Sequence, residues 1–304
     1  MTTEAVKVKE AISSTSTTEV KTSAKTRLAY VDKLRVALVM LVVAHHAAQA
    51  YGPTGGGWPV TNPTTSHLLK PFFDVNPMFF MGLFFLIAGY FVPRSFDRKG
   101  GSEFLKSRFI RLGIPALFVA WVIFAPIFYF MQDLQLSLPE YVRYLYGTSW
   151  TVPYMHLWFL LHLILYSFGY LLWRQITKRQ GWQGAAVLLP SHSTILLFAI
   201  ALALVTFVVR IWYPIDVWVP LFYLIPAEVA HLPQYIALFA MGILAYRGDW
   251  LNKFSTRSGM IWLGIGLFAG AAYYAYIFWG AQLIYRTLGT DITAIGGLDW
   301  RSLV

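Results

Sequence analysis

A chain of 304 residues that is 57% apolar and only 12% charged carries about half the charged fraction of a soluble domain, and its mean hydropathy of +0.56 marks a polytopic membrane protein. It has no cysteine, which excludes disulfides, thiolate metal sites, iron–sulfur clusters and a cysteine nucleophile. The net charge of +10 would suit a nucleic-acid partner, but its distribution along the chain has another explanation, and no nucleic acid is expected.

Residues 1–26 are rich in Ser, Thr, Lys and Glu and have no aromatic side chain. Such a segment buries too little apolar surface to order itself and lacks the apolar run of a signal peptide, so a disordered tail is expected there. Residues 27–304 read as one integral-membrane domain. Apolar runs of the length that crosses a bilayer place the first span at 34–51 and the second at 72–93, with a loop rich in Gly, Pro and Thr between them. Trp58 in that loop is a candidate to stack on a sugar or to anchor at the interface. A basic connector follows, then spans at 112–131, 156–173 and 193–213. The segment 214–233 holds Pro214, Pro220, Pro226 and Pro233, so a broken or interfacial stretch is expected instead of a straight helix. Two more spans are expected, at about 234–246 and 259–280. The fold class is therefore an all-α, polytopic transmembrane helical bundle of about seven spans.

Basic residues alternate along these spans. The tail through Arg35, the connector after span two, and the loops after spans four and six together hold 19 Lys/Arg, against five on the other side. The positive-inside rule then makes the N-terminus cytoplasmic. Expected surroundings are the membrane lipids of a plasma or inner membrane.

Span one contains the residues that do not belong in lipid: Asp32, Lys33 and Arg35 at its start, His45 and His46 in its interior. Ionisable groups inside a membrane helix are functional candidates by default. Eleven residues turn a helix through ~1100°, within ~20° of whole turns, so Arg35 and His46 share a face ~16 Å apart along the axis. That spacing places His46 toward the bilayer centre, while His45 points ~80° away from Arg35. His46 is therefore favoured as the functional histidine. A neutral imidazole can act as a general base; the competing reading is a helix-to-helix hydrogen bond, with Arg35 as one more positive anchor.

Arg108 and Arg111 stand three apart at the cytoplasmic end of span three and are expected on one helix face. Their guanidinium forks suit phosphate, either of a ligand or of anionic lipid headgroups. His156 opens span four in His156-Leu157-Trp158-Phe159-Leu160, where an interfacial histidine in an aromatic belt is the plainer expectation. His162 is expected to hydrogen-bond a neighbour, with Tyr166 four residues on. Gly82 and Gly89 lie one heptad apart, as in close helix packing. The histidine spacing suggests no metal site.

These stretches together resemble the integral-membrane acyltransferases of the acyltransferase type 3 family. The carriers are Arg35 and His46 with ten residues between them, Phe84-Phe85-Leu86-Ile87-Ala88-Gly89-Tyr90-Phe91 in span two, and Ser107-Arg108-Phe109-Ile110-Arg111 before Pro115. The run PRSFDRKG, then RLGIP, then HLWFL is most similar to the glucan-modifying branch, which includes succinyltransferases of periplasmic glucans. Two features depart from the pattern. Leu161-His162-Leu163-Ile164 stands where other branches carry glutamates. Family members usually have about ten spans, whereas here a GGLDW stretch lies close to Val304.

The resemblance implies an acyltransferase whose donor substrate is cytoplasmic acyl-CoA, with no permanently bound cofactor. Arg108 and Arg111 would hold the donor's phosphates. The acceptor would be a hydroxyl of an extracytoplasmic glycan or similar molecule. His46 would be the base or a transient acyl carrier, and Arg35 would orient the donor or stabilise the thioester oxyanion. The alternative function is a transporter or exporter with a midplane histidine, but no internal repeat of the kind transporters show is visible.

Overall fold

The computed structural model describes residues 29–52, 62–131, 135–147, 154–177, 187–215, 217–276 and 279. The tail at 1–26, Trp58 and the GGLDW stretch lie outside the described residues. The chain divides into two compact units, Met1–Ala37 and Leu38–Val304. Helix α1, Ala29–Ala48, begins in the first and ends in the second, with Asp32 in its first turn, where a carboxylate complements the helix dipole.

In the second unit, α2 (Lys70–Lys99) is longer than the expected second span. The expected basic connector is almost wholly helical: 94–99 finishes α2, and α3 (Gly101–Arg108) restarts after one residue. Arg, Lys, Glu, Phe and Leu carry charge or bulk but do not break a helix. The break falls at Gly100, whose φ of +75° is open to glycine at little cost. Span three then continues through a π turn at Phe109–Gly113, α4 (Ile114–Phe118), a second π turn at Val119–Phe124, and α5 (Ala125–Met131). Pro115 and Pro126 each stand two residues after the end of one of these turns. Each lacks the N–H that an α ladder would use at that point, a local reason for the wider turn.

Helix α6 (Leu138–Gly147) caps itself. The exposed Glu140 accepts from the Ser137 hydroxyl (2.6 Å) and backbone N–H (2.8 Å), which hold its carboxyl below the usual value. Buried Tyr141 donates to the Ala125 carbonyl at 3.0 Å and fastens α6 to span three. Helix α7 (Trp158–Ile176) follows a short 3₁₀ turn at Met155–Leu157, and α8 is His192–Trp212. The proline-rich segment forms a small antiparallel hairpin, β1 (Trp218–Leu221) with β2 (Ile225–Glu228), in which Pro220 stands opposite Pro226. Helices α9 (Leu232–Gly248), α10 (Trp250–Lys253) and α11 (Thr256–Ala275) complete the described chain.

Among the described residues seven helical segments are long and apolar enough to cross a membrane. The fold is an all-α multi-pass bundle, with one small hairpin among the described residues. Its tightest packing is between α2 and α9. A Cβ on Gly89 would collide with the Phe239 carbonyl, and one on Gly242 with the Leu86 carbonyl, so the two backbones touch. Around this contact Phe85, Phe104, Leu163, Tyr170, Tyr235 and Phe239 form the core.

The C-terminal ends of α2, α7 and α9 are tied by charge. Asp97 accepts from Arg174 through one oxygen and pairs with Arg247 through the other, each at 2.8 Å. Both arginines also donate to the Tyr170 hydroxyl, at 3.0 and 3.1 Å. These are the ends of spans two, four and six, which the charge alternation assigned to one face.

Candidate functional site

His45 and His46 lie in the last turn of α1. Among the described residues the helix already runs from Ala29, five residues before the expected start of span one, and His46 lies in its last turn. Gln49–Tyr51 then tightens into a 3₁₀ turn. Neighbouring helical residues diverge by ~100°, and the two rings go to different places. His45 is 5% exposed and sits among Phe72, Phe73 and Phe80, with centroids 5.4–5.8 Å away.

His46 is half-buried and has polar company. Its Nδ1 lies 3.0 Å from Gln49 Oε1. An amide oxygen only accepts, so Nδ1 carries the proton and Nε2 is the basic nitrogen. The His46 ring stacks on His156, with centroids 4.4 Å apart and planes inclined by 30°. His156 in turn meets Phe124 edge-on at 5.8 Å. The reading of His156 as an interfacial belt residue missed this contact, because nothing local in HLWFL points to a residue 110 positions earlier. Gln49 was also missed, although its i+3 spacing from His46 was a usable signal.

Span three joins the histidines to the arginines. Phe124 closes the second π turn against His156, and Arg108 stands just before the first. The sixteen residue steps from Arg108 to Phe124 cover ~24 Å at helical rise. The two arginines are not equivalent. Arg108 is half-buried with its guanidinium over the Phe104 ring at 5.3 Å, whereas Arg111 is exposed. The π turn that starts at Phe109 widens the backbone between them, so the simple i, i+3 face expected of them is altered. π turns recur at functional sites, and both of these adjoin residues of chemical interest. Arg35 is exposed on α1, in the first unit.

His162 is fully buried and completely satisfied. Its Nε2–H donates to the Pro226 carbonyl at 3.0 Å, and its Nδ1 accepts from the Tyr166 hydroxyl at 3.2 Å. That arrangement locks α7 to β2 and engages both ring nitrogens. Among the described residues no group of three His, Asp or Glu side chains is placed to hold a metal ion.

The arrangement suits acyl transfer: an oriented imidazole with one basic nitrogen, at the end of a span whose neighbour carries a guanidinium at its far end. The model of the type 3 acyltransferase domain matches residues 28–295. Glucans biosynthesis protein C of Salmonella heidelberg (strain SL476) is 30% identical over 262 residues, covering 82% of this chain and 65% of that protein. The proteins of that name from Salmonella agona (strain SL483) and Salmonella enteritidis PT4 (strain P125109) match at the same identity and coverage. The chain thus spans 65% of the length of these relatives. No solved structure matches it. By the extent of the domain match, the chain belongs to the acyltransferase type 3 family.

Proposed function

We propose that the chain is a membrane-bound O-acyltransferase of a plasma or inner membrane. It moves an acyl group, of acetyl or succinyl type, from cytoplasmic acyl-CoA to a hydroxyl of an extracytoplasmic glycan or similar acceptor. The observation that carries the proposal is the oriented His46, held by Gln49 and stacked on His156. The names of the relatives, glucans biosynthesis protein C, favour a glucan as acceptor.

The layout limits the donor. If Arg108 receives phosphate at one end of span three, the reacting carbonyl must lie ~24 Å further on to reach the histidines. A coenzyme A thioester has this form: its phosphates and its thioester are at opposite ends of a long arm. His46 Nε2 takes the proton of the acceptor hydroxyl as the oxygen attacks the thioester carbonyl. The C–S bond breaks, and the thiolate leaves and recovers the proton. Arg35 is assigned to the donor, as in the family pattern, by orienting it or by stabilising the oxyanion.

The test is transfer of label from radioactive acetyl- or succinyl-CoA to purified glucan by membranes that contain the protein. Loss of transfer in His46→Ala by ~10²-fold or more fits a general base. Wild-type transfer by that variant removes His46 from the mechanism.

A further inference from the structure

A buried amide on α2 faces the end of α1. His45 and Asn76 are 5% and 6% exposed, and neither His45 Nδ1 nor Asn76 Nδ2 has a hydrogen-bond partner among the described residues. Their positions are linked. Phe72, Phe73 and Phe80 lie within ~60° of Asn76 around α2, so the four share one face. The His45 ring is 5.8, 5.4 and 5.6 Å from those three rings. Phe73 and Phe80 are ~10 Å apart along the helix axis. A ring that touches both sits between them, at the height of Asn76. His45 therefore looks across at an amide, and the two orphaned nitrogens share one aromatic box. Pro77 supplies no N–H to the Phe73 carbonyl, so an acceptor in the same turn also lacks its regular helical donor.

Buried polar atoms without partners are uncommon, and each calls for an explanation. Inside a membrane segment such groups mark a functional place. This box adjoins the proposed base, with the His45 and His46 rings 5.5 Å apart. It also lies where the loop after span one leaves and returns. The Asn62 N–H donates to the Ala50 carbonyl at 2.7 Å, and the Ser66 N–H to the Tyr51 carbonyl at 2.9 Å. A Cβ on Gly52 would strike the Phe73 ring, so the chain leaving α1 rests on the box. The charge alternation makes that surface extracytoplasmic, the side opposite the donor's phosphates. The occupant must accept a hydrogen bond from Asn76. A methyl group cannot, and a carboxylate would bring a charge among three phenylalanine rings. A hydroxyl can accept from the amide while donating to an imidazole nitrogen or to the Phe73 carbonyl.

We propose that His45 and Asn76 hold a second hydroxyl of the acceptor, beside the one that His46 deprotonates. The acceptor is then a polyol with neighbouring hydroxyls, as on a sugar ring, and not a monohydric alcohol. Only one oxygen enters the box, and the rest of the acceptor stays with half-buried His46. This subsite rests on the acyltransfer reading. It makes His45 a positioning residue for the acceptor, with no proton to take.

The test measures transfer of label from radioactive acetyl- or succinyl-CoA to purified glucan by membranes that contain the full chain. In Asn76→Leu and in His45→Phe, KM for glucan should rise about tenfold, as for loss of one hydrogen bond, while KM for acyl-CoA stays near wild type. The double variant should lose little more than either single one, because both side chains hold the same oxygen. Wild type should also prefer propylene glycol to propanol as acceptor, and both variants should lose that preference. The unfolding temperature of Asn76→Leu in detergent should not fall, since the change removes an unpaired buried amide. His45→Phe places a flat ring among phenylalanines and keeps the test decisive if Asn76→Leu folds poorly. A wild-type KM for glucan in both single variants overturns the subsite. So do losses that multiply in the double variant, or equal losses with glycol and propanol together with a lower unfolding temperature. In each of these cases wild type still transfers label, whereas wild-type membranes that transfer none overturn the acyltransfer reading and the subsite with it.

Discussion

The imidazole of His46 lies 4.4 Å from that of His156, inclined by 30°, and this contact joins the end of α1 to the start of α7. If His46 is the base, His156 is a positioning residue that holds the ring plane. The two roles separate by substitution. His46→Gln should lose transfer by ~10²–10⁴-fold, since no side chain is left to take the proton. His156→Phe keeps a flat ring at the same place and should retain most of the rate, whereas His156→Ala should fall well below it. Equal losses in the Phe and Ala variants would mean that the His156 nitrogens, and not its stacking, matter.

Gln49 sets which His46 nitrogen is basic, through the 3.0 Å contact with Nδ1. Gln49→Glu keeps an acceptor there and should stay active. Gln49→Leu should reduce kcat by about tenfold, the worth of one hydrogen bond, with little change in KM for acyl-CoA. A rise in KM at constant kcat would instead place Gln49 in donor binding.

Much of this site was legible in the sequence, and the reasons for the failures are specific. The divergence of His45 from His46 follows from the helical angle alone, and the structure sends them to different neighbours. The charges of 94–108 marked a basic connector between spans without giving its conformation; those residue types propagate helix, and only Gly100 interrupts it. The prolines at 214–233 correctly argued against a helix. They could not show a hairpin, since strand pairing depends on register across the turn at Phe222 and Tyr223. The stacking of His156 on His46 is a tertiary contact with no local signature. In contrast, the Asp97 contacts bring together the ends of spans two, four and six, the three ends that the Lys/Arg alternation had put on one side.

His162 provides a structural control. Both of its nitrogens are bonded inside the bundle, so His162→Leu should cost about 1–3 kcal/mol by leaving the Pro226 carbonyl unpaired in a dry site. The expected readout is a lower unfolding temperature in detergent, with transfer per folded molecule close to wild type. A folded His162→Leu protein that has lost transfer would bring His162 into the chemistry.

The backbone contact between α2 and α9 makes a similar prediction about size. Gly242→Ala must push α9 away from the Leu86 carbonyl, and overpacking of this kind costs about 1–3 kcal/mol. Gly264→Ala on α11, where a Cβ meets nothing within 4 Å, should be neutral or slightly stabilising because alanine favours helix. Thermal unfolding of the two variants side by side checks this. Equal stabilities would mean that α2 and α9 are not in backbone contact.

Asp97 answers two arginines whose side chains are 8% and 11% exposed, and is itself one-third exposed. Asp97→Asn leaves two guanidiniums facing each other around the Tyr170 hydroxyl with no anion between them. Breaking a fully buried pair costs about 3–5 kcal/mol; the water that reaches Asp97 screens part of this, so about 1–3 kcal/mol is expected. The loss should grow as salt is lowered, since it is a like-charge repulsion. Replacing all three charges, with Asp97→Leu, Arg174→Met and Arg247→Met together, removes the repulsion along with the attraction and should be less damaging than Asp97→Asn alone. Unfolding temperatures at low and high salt decide it. If the triple variant is the less stable of the two, the cluster contributes net attraction, and the three helix ends are held by charge more than by the core beneath them.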